Sequence, residues 1–177
     1  MKKLQIQVSR KQNTKNVFTN KQCGASTMDV MIAAAFMIGA IMMTVMIVPK
    51  VQDAYAISNF QRDASTIQSA VHRWKKARSN YTGVTLTEIC NQNILTKGGT
   101  ICGKTNNGLA TNPFGGNWTV KANNNPGLFD IVATLPNNPD SMAEVADTMA
   151  PITRGNCQSA TGCATLQASG TTLTMTF

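Results

Sequence analysis

Gly24 to Val51 reads GASTMDVMIAAAFMIGAIMMTVMIVPKV, and the rest of the chain's architecture follows from it. Small polar residues and one carboxylate, Asp29, lead into an apolar run from Val30 to Val48 that carries no charge. As a helix rising about 1.5 Å per residue the run is roughly 28 Å long, enough to cross the hydrocarbon core of a bilayer. An acid at the mouth of such a segment is costly, by about 2.5–3.5 kcal/mol near the bilayer centre and less toward the interface. It therefore calls for a partner or a task.

The residues before this stretch set its topology. Residues 1–23 carry Lys2, Lys3, Arg10, Lys11, Lys15 and Lys21, no acid and no apolar core. A secretory signal peptide has its apolar region before the cleavage site, so this order excludes one. Basic residues flanking a span stay in the cytoplasm, which places the C-terminal part on the other side. The formal net charge of +8 suggests a nucleic-acid partner at first sight, but the leader holds six of the sixteen Lys and Arg and none of the eight acids. The remainder has ten bases against eight acids, too even a balance for the clustered phosphate contacts that nucleic acid requires.

Beyond Pro49 the helical pattern continues. Ile57, Phe60, Ala64, Ile67, Val71 and Trp74 recur at spacings of three and four, one helix face. Gln52, Asp53, Asn59, Arg62, Asp63 and Gln68 are assigned to the polar reverse side. The spacing predicts one helix from about Thr27 to Arg78, apolar all round in its first half and amphipathic in its second. Gly39 and Pro49 disturb the first half. Glycine costs about 1 kcal/mol in a helix interior, and Pro49 deprives the carbonyl of Val45 of its partner, so a kink near 45–49 is expected. The methionines gathered here (Met28, Met31, Met37, Met42, Met43 and Met46) suit irregular packing and plain membrane hydrophobicity equally.

A basic leader ending in Gly24, an acid five residues beyond the glycine, and a long helix continuing past the membrane segment together resemble the type IV prepilins. The detailed match covers roughly residues 20–80. The length of the leader, the methionine-rich helix and the run Asn112-Pro113-Phe114-Gly115-Gly116 look like the type IVb class, and most like the major pilins of thin conjugative pili. Ala25 stands where the family commonly has a larger apolar residue, and Asp29 where it has glutamate. The resemblance implies an α+β pilin-like fold, a long N-terminal helix packed on a small antiparallel sheet in a disulfide-containing head. It divides the chain into a leader, 1–24, a membrane and filament-core half-helix, 25–51, and a head, 52–177, that includes the rest of the helix.

The same resemblance implies cleavage by a prepilin peptidase between Gly24 and Ala25, N-methylation of the new amino terminus and insertion in the inner membrane. Polymerisation by the inner-membrane assembly machinery then gives a homopolymeric surface filament for conjugation or adhesion. Asp29 is the assembly residue, and Gly39 and Pro49 mark a helix segment that partly melts in the filament. Type II secretion pseudopilins share the superfamily but generally have short leaders. A bitopic membrane protein with an extracytoplasmic domain would show the same span without processing.

Cysteine usage agrees with an extracytoplasmic head. Cys23 would leave with the leader, and Cys90, Cys102, Cys157 and Cys163 remain, an even number for an oxidising compartment. Of three possible connectivities the sequence-adjacent one, Cys90–Cys102 with Cys157–Cys163, is preferred. Neither pair has C-x-x-C spacing and His72 is the one histidine, so no metal site is expected. Nor do these residues assemble a catalytic triad or dyad, and an enzyme with a cofactor is not expected. His72 is read as a solvated residue. The basic run His72-Arg73-Trp74-Lys75-Lys76-Ala77-Arg78 is assigned to a helix C-terminus, where the dipole favours cations, ahead of contact with DNA or an acidic neighbouring subunit. Asp130, Asp140, Glu144 and Asp147 are the remaining acids weighed for acid–base chemistry. Three of them cluster around the first turns of one helix.

The head should open with a short helix, Thr85 to about Leu95, and a Gly/Asn/Thr-rich loop. A hairpin of strands Asn117–Ala122 and Leu128–Leu135 follows. A helix starting at Pro139-Asp140-Ser141 carries the stripe Met142, Val145 and Met149. The alternation Leu173, Met175, Phe177 closes the chain as a strand.

Overall fold

The computed structural model describes residues 26–136 and 139–177. Helix α1 runs Thr27–Lys75, and the chain divides into two compact units, Met1–Met43 and Thr44–Phe177. The described part of the first unit is the beginning of α1. Its helix continues without interruption through Pro49, so the proline ends nothing. At the other end α1 stops at Lys75 rather than Arg78, because Lys76 takes a left-handed backbone (φ 43°) and the Arg78 N–H bonds the Lys75 carbonyl at 2.7 Å. The Arg78 guanidinium stacks on the Trp74 ring, 4.2 Å from it, and donates to the Trp74 carbonyl.

The second unit is α+β. Ile57, Phe60, Ala64, Ile67, Val71 and Trp74 are all buried, as the three–four spacing requires. Phe60 anchors this stripe, with its ring centroid 4.4 Å from Trp118 and 5.5 Å from Phe114. Asp63 departs from the expectation: it lies in the buried set, 6% exposed, rather than on the polar reverse side. Its position three after Phe60 and four before Ile67 carries it inward with them.

Helix α2, Leu86–Asn91, starts on a side-chain cap, the Glu88 N–H donating to Thr85 Oγ1 at 3.1 Å. It ends four residues before Leu95 because Asn93 adopts φ 54°. Asn93 and Ile94 then donate to the carbonyls of Cys90 and Ile89, a Schellman closure with asparagine in the left-handed position.

Strands β1 (Trp118–Ala122), β2 (Phe129–Thr134), β3 (Leu166–Ser169) and β4 (Thr172–Thr176) form one antiparallel sheet in the order β1-β2-β4-β3. The register aligns Val120, Ile131, Met175 and Leu166 in one buried row, with Trp118, Ala133 and Leu173 in the next. Phe177 extends β4 by exchanging two hydrogen bonds with Phe129. Strand β3 is absent from the sequence expectation; its one buried residue is Leu166, too little alternation to announce a strand. Helix α3, Met142–Met149, follows a short 3-10 turn, Pro139–Ser141, and buries Met142, Val145, Ala146 and Met149.

The Asn112–Gly116 run explains itself structurally. Asn112 Oδ1 accepts from the N–H groups of Phe114 (2.9 Å) and Gly116 (3.0 Å), while its Nδ2 donates to the Thr134 carbonyl at 2.8 Å. One buried asparagine thus folds the turn and fastens it to the end of β2. Gly115 supplies φ +79°, and Phe114 delivers its ring to Phe60.

Candidate functional site

The first candidate site is the beginning of α1. Every residue from Ser26 to Gln52 is exposed, including Met28 (72%), Phe36 (76%) and Met46 (70%). Helix α1 is long and apolar enough to cross a membrane. Apolar surface on this scale is unsatisfied in water and needs lipid or other protein around it. Gly39 lies within it, and a Cβ there would meet nothing within 4 Å. Gly24, Ala25 and Cys23, the residues of the expected cut, lie outside the described residues.

Asp29 has a task within the chain. The Ser26 N–H donates to Asp29 Oδ2 at 3.3 Å, and the Met28 N–H donates to Ser26 Oγ at 3.1 Å. The arrangement is a variant of the capping box at the start of α1, with aspartate in the place of the usual glutamate and the serine serving the second N–H rather than the third. The pattern Ser26-x-x-Asp29 announces it, a signal that a reading confined to the membrane segment and its glycine passes over. Asp29 is exposed, so the cap leaves it open to a further partner.

Two disulfides, Cys90–Cys102 and Cys157–Cys163, brace the second unit, with Cα–Cα separations of 5.6 and 5.8 Å. The first ties α2 to the following loop. The second closes a small loop that Asp147 also holds, accepting from the Ala160 N–H (2.7 Å) and from Ser159 Oγ (3.1 Å). Asp130 is buried and satisfied by Asn123 Nδ2 (2.7 Å) and Thr176 Oγ1 (2.8 Å). Two of the four acids weighed for chemistry therefore hold structure together. His72 is exposed but not merely solvated. Its Nδ1 lies 2.9 Å from Tyr81 Oη, and its ring meets Phe129 edge-on at 5.5 Å. Burial pushes the Tyr81 hydroxyl above its ordinary value. Lys75 sits 4.6 Å above the Tyr81 ring, so part of the basic run packs on aromatics.

The second candidate site has no sequence signature, because separate segments of the chain line it. A cleft of 570 Å³ lies between α1 and the loops bearing Thr100 and Asn112–Pro113, with a smaller one of 270 Å³ beside it. Arg62, Asp63 and Thr100 line both. The Asp63 carboxylate meets one charged group, Arg62 Nε at 4.0 Å, whose side chain is 68% exposed. Among the described residues no hydrogen-bond donor reaches that carboxylate. Asp130, equally buried, has two.

In comparisons with known proteins, no family model, curated protein or solved structure matches this chain.

Burial pushes the Asp63 carboxyl above the ordinary value of 3.8, against the opposing pull of Arg62. A raised carboxylate pKa favours the folded chain below 3.8, and that contribution is lost as pH rises through the raised value. At neutral pH the ionised group therefore opposes folding. In detergent-solubilised full-length protein, Asp63→Asn is expected to unfold at a higher temperature than the parent at pH 7. The gain should be on the order of 1 kcal/mol. It should shrink as the pH is lowered toward 3.8. A variant less stable than the parent at pH 7 would contradict this account.

Proposed function

We propose that this chain is a structural subunit of a type IVb pilus. It is made as a prepilin, held in the inner membrane by the apolar half of α1, cut after Gly24 by a prepilin peptidase and polymerised into a surface filament. The single observation that carries the reading is the exposed apolar start of α1, none of which contributes to the hydrophobic core of the second unit. Such a helix suits a protein that sits first in lipid and later among copies of itself. The two disulfides fit a head outside the cytoplasm. The basic leader, Gly24 and Asp29 stand in the order that prepilin processing requires. In this reading the protein is not an enzyme, has no cofactor, and partners itself, the peptidase and the assembly machinery. Conjugation or adhesion is the service of the filament.

Gly24→Val tests processing. A side chain at the residue before the scissile bond obstructs the close approach of the peptidase to the backbone. The variant is expected to accumulate at full length in membranes, with loss of nearly all cleaved product on an immunoblot. Normal processing of Gly24→Val would remove the prepilin assignment, and an uncleaved parent chain would favour a bitopic membrane protein.

A further inference from the structure

We propose that the cleft around Asp63 is a socket for a cationic side chain of a second copy of this chain. The exposed cations at the C-terminal end of α1, Arg73 foremost, supply the group. The inference rests on the pilus-subunit reading and names a contact within it.

The socket is built. Asp63 is 6% exposed and lines both clefts, so its charge faces a concave space rather than open water. Polar groups of Asn59, Thr100 and Asn112 surround the larger cleft, and Pro113 and Val51 give it apolar walls. Its titratable lining consists of Tyr55, Arg62 and Asp63. Arg62, at 4.0 Å and mostly in solvent, neutralises Asp63 incompletely. A carboxylate held mostly out of water, with no donor from its own chain, carries a cost that an entering ammonium or guanidinium removes.

The complement lies on the same helix. In the basic run, Arg78 is engaged with Trp74 and Lys75 with Tyr81. Arg73 and Lys76 are exposed, and no hydrogen bond, ion pair or ring contact engages them among the described residues. Arg73 lies ten residues beyond Asp63, on the order of 15 Å along α1. The anion of one copy thus meets the cation of another through two different patches. Such a heterologous contact leaves a free patch on each outer copy, and it propagates as an open filament wherever its rotation does not close a ring. The cleft also begins at Val51, Gln52 and Tyr55, where the exposed apolar surface assigned to self-association ends.

The test uses full-length chains in cells that assemble the parent filament. Asp63→Asn and Arg73→Gln are each expected to be cleaved and to persist in membranes at parental levels. Sheared filament should fall roughly tenfold or more, the scale of breaking a buried ion pair. Loss of assembly with undiminished thermal stability of Asp63→Asn separates a contact between copies from a structural role. For direct proof, two differently tagged chains carry Asp63→Cys and Arg73→Cys. An oxidised dimer containing both tags is expected in filaments, and none when Lys121→Cys replaces Arg73→Cys. Parental filament yield from Asp63→Asn overturns the socket while leaving the pilus reading intact. Filament loss without the mixed dimer overturns the pairing with Arg73. A parent chain absent from sheared material overturns both the pilus reading and the proposed occupant.

Discussion

An Asp29→Asn chain is expected to be cut normally, to persist in the membrane, and to yield roughly tenfold fewer surface filaments or none. Removal of the leader would give Ala25 a new α-amino group, positively charged at neutral pH. Asp29 lies four residues further along the sequence, and in a filament the amine it would meet belongs to its own chain or to a neighbour. Either charge alone among apolar helices costs several kcal/mol, so the pair favours one axial register over others. Within the chain, Asp29 also caps α1 through the Ser26 N–H. The two roles separate by substitution. Asparagine keeps an oxygen for the Ser26 N–H and discards the charge, whereas Asp29→Ala discards both and adds a capping loss of about 1 kcal/mol. Asp29→Glu keeps both and should assemble. Electron microscopy of sheared material beside an immunoblot of membranes reads all three. Abundant filaments from Asp29→Asn would leave the residue with its cap alone.

Gly116→Ala carries the largest expected effect on folding. A Cβ at Gly116 would overlap the Thr134 carbonyl and Oγ1, the atoms by which the Asn112 turn and Asn117 attach to β2. Backbone on both sides must move, and several hydrogen bonds move with it. The cost should reach about 3 kcal/mol or more, a large share of a domain's stability. Gly127→Ala is the control, since a Cβ there meets only the Asn125 side chain, at 3.3 Å. Thermal unfolding of detergent-solubilised protein should show a large drop for Gly116→Ala and little change for Gly127→Ala. Equal melting temperatures would contradict this role for the turn.

Much of the fold was legible because it depends on period. The stripe Ile57 to Trp74 is buried as the spacing requires, and the alternation of Leu173, Met175 and Phe177 places all three in the core. The Asn112–Gly116 run announced a turn into β1, though not the asparagine hub that makes it one. Periodicity failed where polarity was allowed to override it. Asp63 occupies a core position of α1, where its charge argues for the solvent face and its spacing for the buried one. Edge strand β3 was illegible because Leu166 alone of its residues is buried. The ends of α1 and α2 were overshot because Lys76 and Asn93 adopt positive φ without being glycine. His72 stands apart in the sequence from the Tyr81 and Phe129 rings that engage it, a contact only the tertiary fold creates. The cleft around Asp63 has the same origin, since its walls come from segments about forty residues apart.

The central claim is processing followed by polymerisation, and one measurement addresses both: the amino-terminal sequence of this protein recovered from sheared surface filaments. The account predicts a chain beginning at Ala25, lacking the leader and Cys23. A chain beginning at Met1, or a protein confined to membranes and absent from the sheared fraction, would contradict it.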